Sequence, residues 1–173
     1  MSKIALKKHL QSLTNEQMIE TVLELYVNLK PVKEYFEYYL NPNEKEMFGK
    51  YKTIIINEFY PKGKSAQPKT RFSVAKKAIA DFRDLKPSPD LLGDLMLILP
   101  EMACQFTSDY GDMWEQYYES ASTNFKIALN YLEKNELLDN FKVRCEGCLK
   151  HASHCGYGFE DEILDLFYQY YNE

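Results

Sequence analysis

The sequence has 173 residues, of which 45% are hydrophobic and 27% are charged, and its formal net charge is −5 at pH 7. This composition is typical of globular proteins and excludes the disordered class, in which apolar residues are scarce and net charge is high. The length favours a single domain over residues 1–173, and the acidic balance argues against general binding of nucleic acid.

The apolar segments are too short for a membrane protein. The longest unbroken apolar run, residues 95–100, is far below the roughly 20 residues of a membrane span, and the first residues lack the apolar stretch of a signal peptide. We therefore expect a cytoplasmic protein with no membrane association. In that compartment the four cysteines are expected to be reduced thiols.

Apolar residues recur at helical spacing along the chain, and no stretch shows the period of two that indicates a strand. The pattern predicts eight helices, or nine if a short segment near residues 2–12 is helical. The second helix begins at a capping box formed by Thr14 and Gln17. Its predicted inward face consists of Met18, Ile19, Val22, Leu23, Tyr26 and Leu29.

The middle of the chain predicts a loop between two further helices. After a third helix near Pro31 and a fourth over about 43–59, prolines and a glycine mark a basic loop near 61–70. The fifth helix, about 72–85, is predicted to bury Ala75, Ala78, Ile79 and Phe82.

The second half of the chain predicts four more helices. Residues 91–106 are apolar nearly all round, which predicts a central helix kinked at Pro100. Asp112 and Glu115 are predicted to cap the seventh helix, and Gly156 is predicted to end the eighth, over about 136–155, as a left-handed cap. The ninth follows over 160–171. A compact multi-helix bundle and a short irregular α-solenoid both fit this all-α pattern.

Several motifs together point to a known family. They are residues 32–36, 39–44, 58–61, 73–79, 87–89, 106–107, 110–112 and 156–159. On these motifs the chain resembles, over nearly its whole length, a family of small bacterial proteins of unknown function. The resemblance implies a bacterial, cytoplasmic protein with a helical fold, and it implies no activity, cofactor or catalytic residue.

The segment Cys145–Cys155 offers five zinc-type ligands within eleven residues, namely Cys145, Cys148, His151, His154 and Cys155. On a continuous helix the three cysteines share one apolar arc, whereas both histidines point away from it. We therefore expect the cysteines to be core residues, with no metal and no cofactor. A metal site here is the less favoured alternative.

A basic stretch, residues 62–77, contains six Lys and Arg residues and no acidic residue. Lys76 and Lys77 are expected in the first turn of the fifth helix, where positive charge opposes the helix dipole. A helix N-terminus with basic side chains suits an anion or a phosphate. Lys69, Arg71, Lys76 and Lys77 are therefore candidate residues for binding a phosphate-bearing ligand or nucleic acid, although a solvated loop and helix face is the favoured explanation of these charges.

No arrangement in the sequence predicts catalysis. The chain has three histidines, and no serine or cysteine has surroundings that indicate an activated nucleophile. Carboxylates such as Asp109 and Glu160 are explained by helix starts. The 14 tyrosines, which include Tyr35, Tyr38, Tyr39, Tyr117, Tyr118, Tyr168, Tyr170 and Tyr171, are of a type enriched at protein interfaces. The favoured function is thus a non-enzymatic interaction module with a protein partner or a second copy.

Overall fold

The computed structural model describes residues 2–41 and 43–171. Within these ranges the chain forms nine helices and no strand, which confirms the all-α prediction. The helices are α1 (Lys3–Gln11), α2 (Asn15–Asn28), α3 (Lys30–Leu40), α4 (Glu44–Phe59), α5 (Phe72–Asp84), α6 (Pro89–Tyr110), α7 (Glu115–Lys134), α8 (Leu138–Ala152) and α9 (Phe159–Tyr171).

The chain divides into two compact units, Met1–Asn43 and Glu44–Glu173. The predicted domain 1–173 includes Met1, Pro42, Asn172 and Glu173, which lie outside the described residues. That the whole chain acts as one domain stays a prediction. No helix in the described ranges is both long and apolar enough to cross a membrane.

The unit Glu44–Glu173 is a helical bundle built around α6. This helix contacts α4, α5, α7 and α8, and α9 packs against α7 and α8. Twelve of the 22 residues of α6 are buried. The central position predicted from its uniformly apolar sequence is confirmed, because only a helix surrounded by others can bury apolar side chains on all sides.

A charged side chain ties α8 to α6 in this bundle. The Arg144 guanidinium donates two hydrogen bonds to the Glu101 carboxylate, at 2.7 and 2.6 Å, and a third to Asp94, at 2.5 Å. All three side chains are partly shielded from solvent. Charged hydrogen bonds in such a setting are stronger than exposed ones, so they hold the two helices together at a defined position.

The N-terminus of α7 differs from the prediction. Asp112 lies before Trp114, which is the N-cap residue, and it makes no capping bond. Its carboxylate instead accepts hydrogen bonds from the Tyr118 hydroxyl and from the Gly156 backbone amide. The Tyr118 hydrogen bond holds the pKa of Asp112 below its usual value. The capping prediction was wrong because a tertiary partner competes for this carboxylate.

The predicted left-handed cap at Gly156 is also wrong. The helix α8 ends at Ala152, and the positive φ angles that follow occur at His154, Tyr157 and Gly158. Gly156 is required for a different reason, since a Cβ atom there would lie 2.6 Å from the Asp112 Oδ2 atom. The absence of a side chain lets the turn between α8 and α9 approach the Asp112 carboxylate.

The unit Met1–Asn43 contains α1, α2 and α3. The Thr14 and Gln17 capping box at the start of α2 is confirmed, with hydrogen bonds of 3.2 and 2.9 Å. Tyr38 is the one buried residue in these three helices among the residues described. The predicted inward face of α2 is wrong for Ile19, Val22, Leu23 and Leu29, which are exposed. Within this unit α2 contacts α3, and one neighbouring helix cannot cover this face.

Candidate interaction surface

Exposed apolar side chains are concentrated in α1–α3. Of the 17 large hydrophobic side chains that are exposed among the described residues, ten lie between residues 4 and 40. They are Ile4, Leu6, Ile19, Val22, Leu23, Leu25, Val27, Leu29, Tyr39 and Leu40. Scattered exposed apolar residues are normal on protein surfaces, so it is their concentration in α1–α3 that makes these helices the candidate surface.

The helix α2 combines an apolar stripe with an acidic one. Ile19, Leu23 and Val27 are four residues apart, so they share one face, and they are 59%, 56% and 77% exposed. Glu20 directly follows Ile19, and Glu24 directly follows Leu23. A third glutamate, Glu16, lies one turn before Glu20. A partner that packs on the apolar stripe would therefore meet three negative charges beside it.

The helix α1 has the same arrangement with the opposite charge. Leu6 and Leu10 share one face, and Lys3 and Lys7 lie beside them. These four side chains, together with Gln11, Leu13, Asn15 and Met18, line a groove of about 580 Å³ between α1 and the start of α2. The groove has an apolar lining and two positive charges, which suits an acidic amphipathic helix.

The basic stretch is held in place by a buried carboxylate. The Arg71 guanidinium donates to Glu58 through Nε, at 2.9 Å, and Nη2, at 2.7 Å. The Glu58 backbone oxygen accepts from the amides of Lys69 and Thr70, both at 2.9 Å. The Arg71 hydrogen bond lowers the pKa of Glu58 below its ordinary value. Arg71 therefore has a structural partner, and it anchors the loop that precedes α5.

Lys76 and Lys77 do not lie in the first turn of α5, where they were expected. This helix begins at Phe72, so Lys76 and Lys77 are in its second turn, and the expected conflict with the helix dipole is wrong for both. Lys77 forms an ion pair with Asp81 at 2.8 Å. Lys76 lines a groove of about 210 Å³ formed by α5, α6 and α7, together with Arg83 and apolar neighbours. That the four candidate residues bind one ligand together stays a prediction.

Two of the late cysteines are core residues, as predicted. Cys145 and Cys148 are buried in α8, whereas Cys155 lies beyond the helix end and is half-buried. Burial raises the pKa of Cys145 to about 11. The hydrogen bond with Cys104, together with burial, raises the pKa of Cys148. No group of three or more potential ligands in the described ranges is arranged to hold a metal ion.

Three of the eight tyrosines named in the sequence analysis are core residues. Tyr38, Tyr117 and Tyr118 are buried, and the Tyr117 hydroxyl donates to the Ala103 backbone oxygen at 3.0 Å. Burial raises the pKa of Tyr118 to about 12, with a further contribution from its hydrogen bond to Asp112. Tyr39 and Tyr168 are exposed. An interface formed by the exposed tyrosines stays a prediction.

The stripes on α1 and α2 are visible in the sequence, but periodicity alone does not show that they form a surface. Their signal is the four-residue spacing of Glu16, Glu20 and Glu24 beside equally spaced apolar residues. Sequence reasoning assigned Ile19 and Leu23 to the core, because an amphipathic helix normally buries its apolar face. Glu58 gave no local signal, since its partner Arg71 lies 13 residues away.

Comparison with known proteins places the chain in a family without assigning a function. No curated protein and no solved structure gives a significant match. The model of one family, described as a family of unknown function (DUF6155), matches residues 1–166 and therefore nearly the whole chain. The protein belongs to the DUF6155 family of unknown function.

Proposed function

We propose that this protein is a non-enzymatic, cytoplasmic interaction module that binds a protein partner through the exposed apolar side chains of α1–α3. The observation that carries the proposal is the concentration of exposed apolar residues in these three helices. We also propose that the protein is bacterial, as the family resemblance implies. Burial of such a cluster on association is favourable at roughly 25 cal/mol per Å² of apolar surface.

The local stability of these helices supports this proposal. Neither α1 nor α2 has a buried residue among those described. Isolated helices shorter than about 12–15 residues are marginal in water, because most helical stability in proteins comes from tertiary packing of an apolar face. With 9 and 14 residues, α1 and α2 need such packing. A bound partner would supply it.

The experiment that tests the proposal compares two exposed valines. Val27 on α2 is 77% exposed, and Val143 on α8 is 79% exposed, so a photo-crosslinking amino acid placed at either position has the same access to solvent. We expect a crosslinked protein adduct in cells from position 27 and none from position 143. Absence of an adduct at position 27, or equal adducts at both positions, would contradict the proposal.

A second candidate function is binding of an anionic amphiphile in the groove of about 210 Å³ between α5, α6 and α7. The observation that favours it is the position of two basic side chains, Lys76 and Arg83, in a groove otherwise lined by Ile79, Ala80, Met96, Asn124 and Ile127. Neither basic side chain forms an ion pair within the described ranges. Such a groove suits an alkyl chain with a phosphate or carboxylate head.

Adjacent lysines provide the test of this second function. Dodecyl phosphate is the probe, and its binding is measured by calorimetry. The variant Lys76→Glu should weaken binding at least about tenfold, because it places a negative charge in the groove. The variant Lys77→Glu makes the same change outside the groove lining and should leave binding unchanged. Equal effects of the two variants, or no binding by the parent protein, would refute this function.

A further inference from the structure

The charges of α1 and α2 are fully segregated. The sequence of α1, KIALKKHLQ, has three lysines and no acidic residue, whereas NEQMIETVLELYVN in α2 has three glutamates and no Lys or Arg. In each helix the charges lie next to an exposed apolar stripe. The two helices are therefore complementary in charge and alike in apolar pattern.

The stripes also define how such helices fit together. Lys7 follows Leu6 by one residue on α1, and Glu20 follows Ile19 by one residue on α2. When each helix is viewed from its own N-terminus, the charged stripe thus lies on the same side of the apolar stripe in both. If two such helices pack with their apolar stripes in contact, their charged stripes come together when the helices run antiparallel. Antiparallel pairing of α1 with α2 would join lysines to glutamates along an apolar seam.

This pairing is not made within the chain. Among the described residues, Lys3 and Lys7 form no ion pair with Glu20 or Glu24, and α1 has no extensive contact with α2. The stripe residue Val27 remains 77% exposed. One chain thus carries both complementary helices, α1 and α2, and they are not paired with each other.

We infer that the partner at this surface is a second copy of the chain, with α1 of each copy packed antiparallel against α2 of the other. The inference rests on the proposed function and names its partner. Such a reciprocal arrangement is the usual symmetry of homodimers.

Charge favours a second copy over an unrelated protein. An acidic helix from another protein would pair with Lys3 and Lys7 but would leave the glutamates of α2 without opposite charges. A basic helix would meet the reverse problem at α1. A second copy satisfies both surfaces at once, because its own α1 covers the glutamates while its α2 covers the lysines.

Reciprocal charge reversal tests this arrangement. The first variant carries Lys3→Glu and Lys7→Glu, and the second carries Glu20→Lys and Glu24→Lys. Each variant alone would pair helices of like charge, so the dissociation constant of its dimer should be at least about tenfold larger than that of the parent. Mixing the two variants should restore dimerisation as a heterodimer, because positions 3 and 7 of each copy then face positions 20 and 24 of opposite charge in the other copy.

The readouts are light scattering after size-exclusion chromatography and native mass spectrometry, which separates the heterodimer by mass. Recovery in the mixture also shows that both variants are folded. The control variant combines Glu119→Lys with Lys126→Glu, two exposed positions on α7, and should dimerise like the parent.

The outcomes separate this inference from the proposed function. A monomeric parent at all concentrations, or a mixture that forms no heterodimer, would overturn the second-copy inference. If the crosslinker at Val27 then joins a different protein, the interaction function stands and only its assigned partner fails. If Val27 gives no adduct of any kind, both fail.

Discussion

Replacement of Gly93 by alanine sets two effects of known size against each other. Gly93 is buried in α6, where a Cβ atom would lie 2.7 Å from the Cδ2 atom of Leu132 on α7. Alanine is better than glycine in a helix interior by about 1 kcal/mol. Insertion of a methyl group into a packed core costs about 1–3 kcal/mol, and Leu132 is fully buried. Overpacking should win, with a net loss of about 1 kcal/mol.

Two other glycines provide matched controls for this prediction. Gly49 in α4 and Gly147 in α8 are also inside helices, but a Cβ atom at either position would have no neighbour within 4 Å. Alanine at these positions should therefore keep its helical advantage and raise the free energy of unfolding by up to about 1 kcal/mol. Urea denaturation followed by circular dichroism measures all three variants.

A double variant identifies the clash itself. In a protein that already carries Leu132→Ala, Gly93→Ala should no longer destabilise, because the atom it would meet has been removed. The reasoning would be refuted if Gly93→Ala stabilised the parent as much as Gly147→Ala does. It would also be refuted if its cost were the same with and without Leu132.

Three further predictions concern buried polar groups. Tyr117→Phe removes the hydrogen bond to the Ala103 oxygen and should lower the free energy of unfolding by about 1 kcal/mol, measured by urea denaturation. Cys145 should react only slowly with iodoacetamide in the native protein at neutral pH, since its pKa of about 11 leaves little thiolate, and faster as the pH approaches that value. Arg71 lowers the pKa of Glu58 in the folded state, so Glu58 contributes stability above its ordinary pKa of 4.5, and that contribution is lost as the pH falls through the folded-state value. Glu58→Gln should therefore flatten the acid side of the stability profile, and an unchanged profile would contradict this assignment.

Periodicity located helix faces well where several helices surround the face. In α5 the four predicted core residues, Ala75, Ala78, Ile79 and Phe82, are all buried. The reason is physical: in a packed bundle, the side of a helix that carries apolar residues is the side that other helices cover.

The same reasoning failed for α2, because a pattern of apolar residues gives the direction of a face but not the presence of a neighbour. Ile19 and Leu23 have the spacing of core residues and are nevertheless exposed. Periodicity therefore identifies the residues of the candidate surface without showing that they are exposed.

Long-range partners were the other source of error. Asp112 has the residue type and position of a helix cap, but its carboxylate binds Gly156, which is 44 residues away. Arg71 similarly donates a hydrogen bond to Glu58, which is 13 residues away, and its role as a ligand contact stays a prediction. Local sequence rules describe what a side chain does in the absence of distant competitors, and these two side chains have distant partners.

The position of Arg144 between Asp94 and Glu101 limits how α8 can move along α6. The two carboxylates are seven residues apart, or roughly 10 Å along the helix axis. Apolar packing is non-directional and by itself would tolerate sliding of one helix along another. A slip of one helical turn, about 5.4 Å, would separate the guanidinium from one of its carboxylates. This single side chain therefore selects one axial register for the two helices.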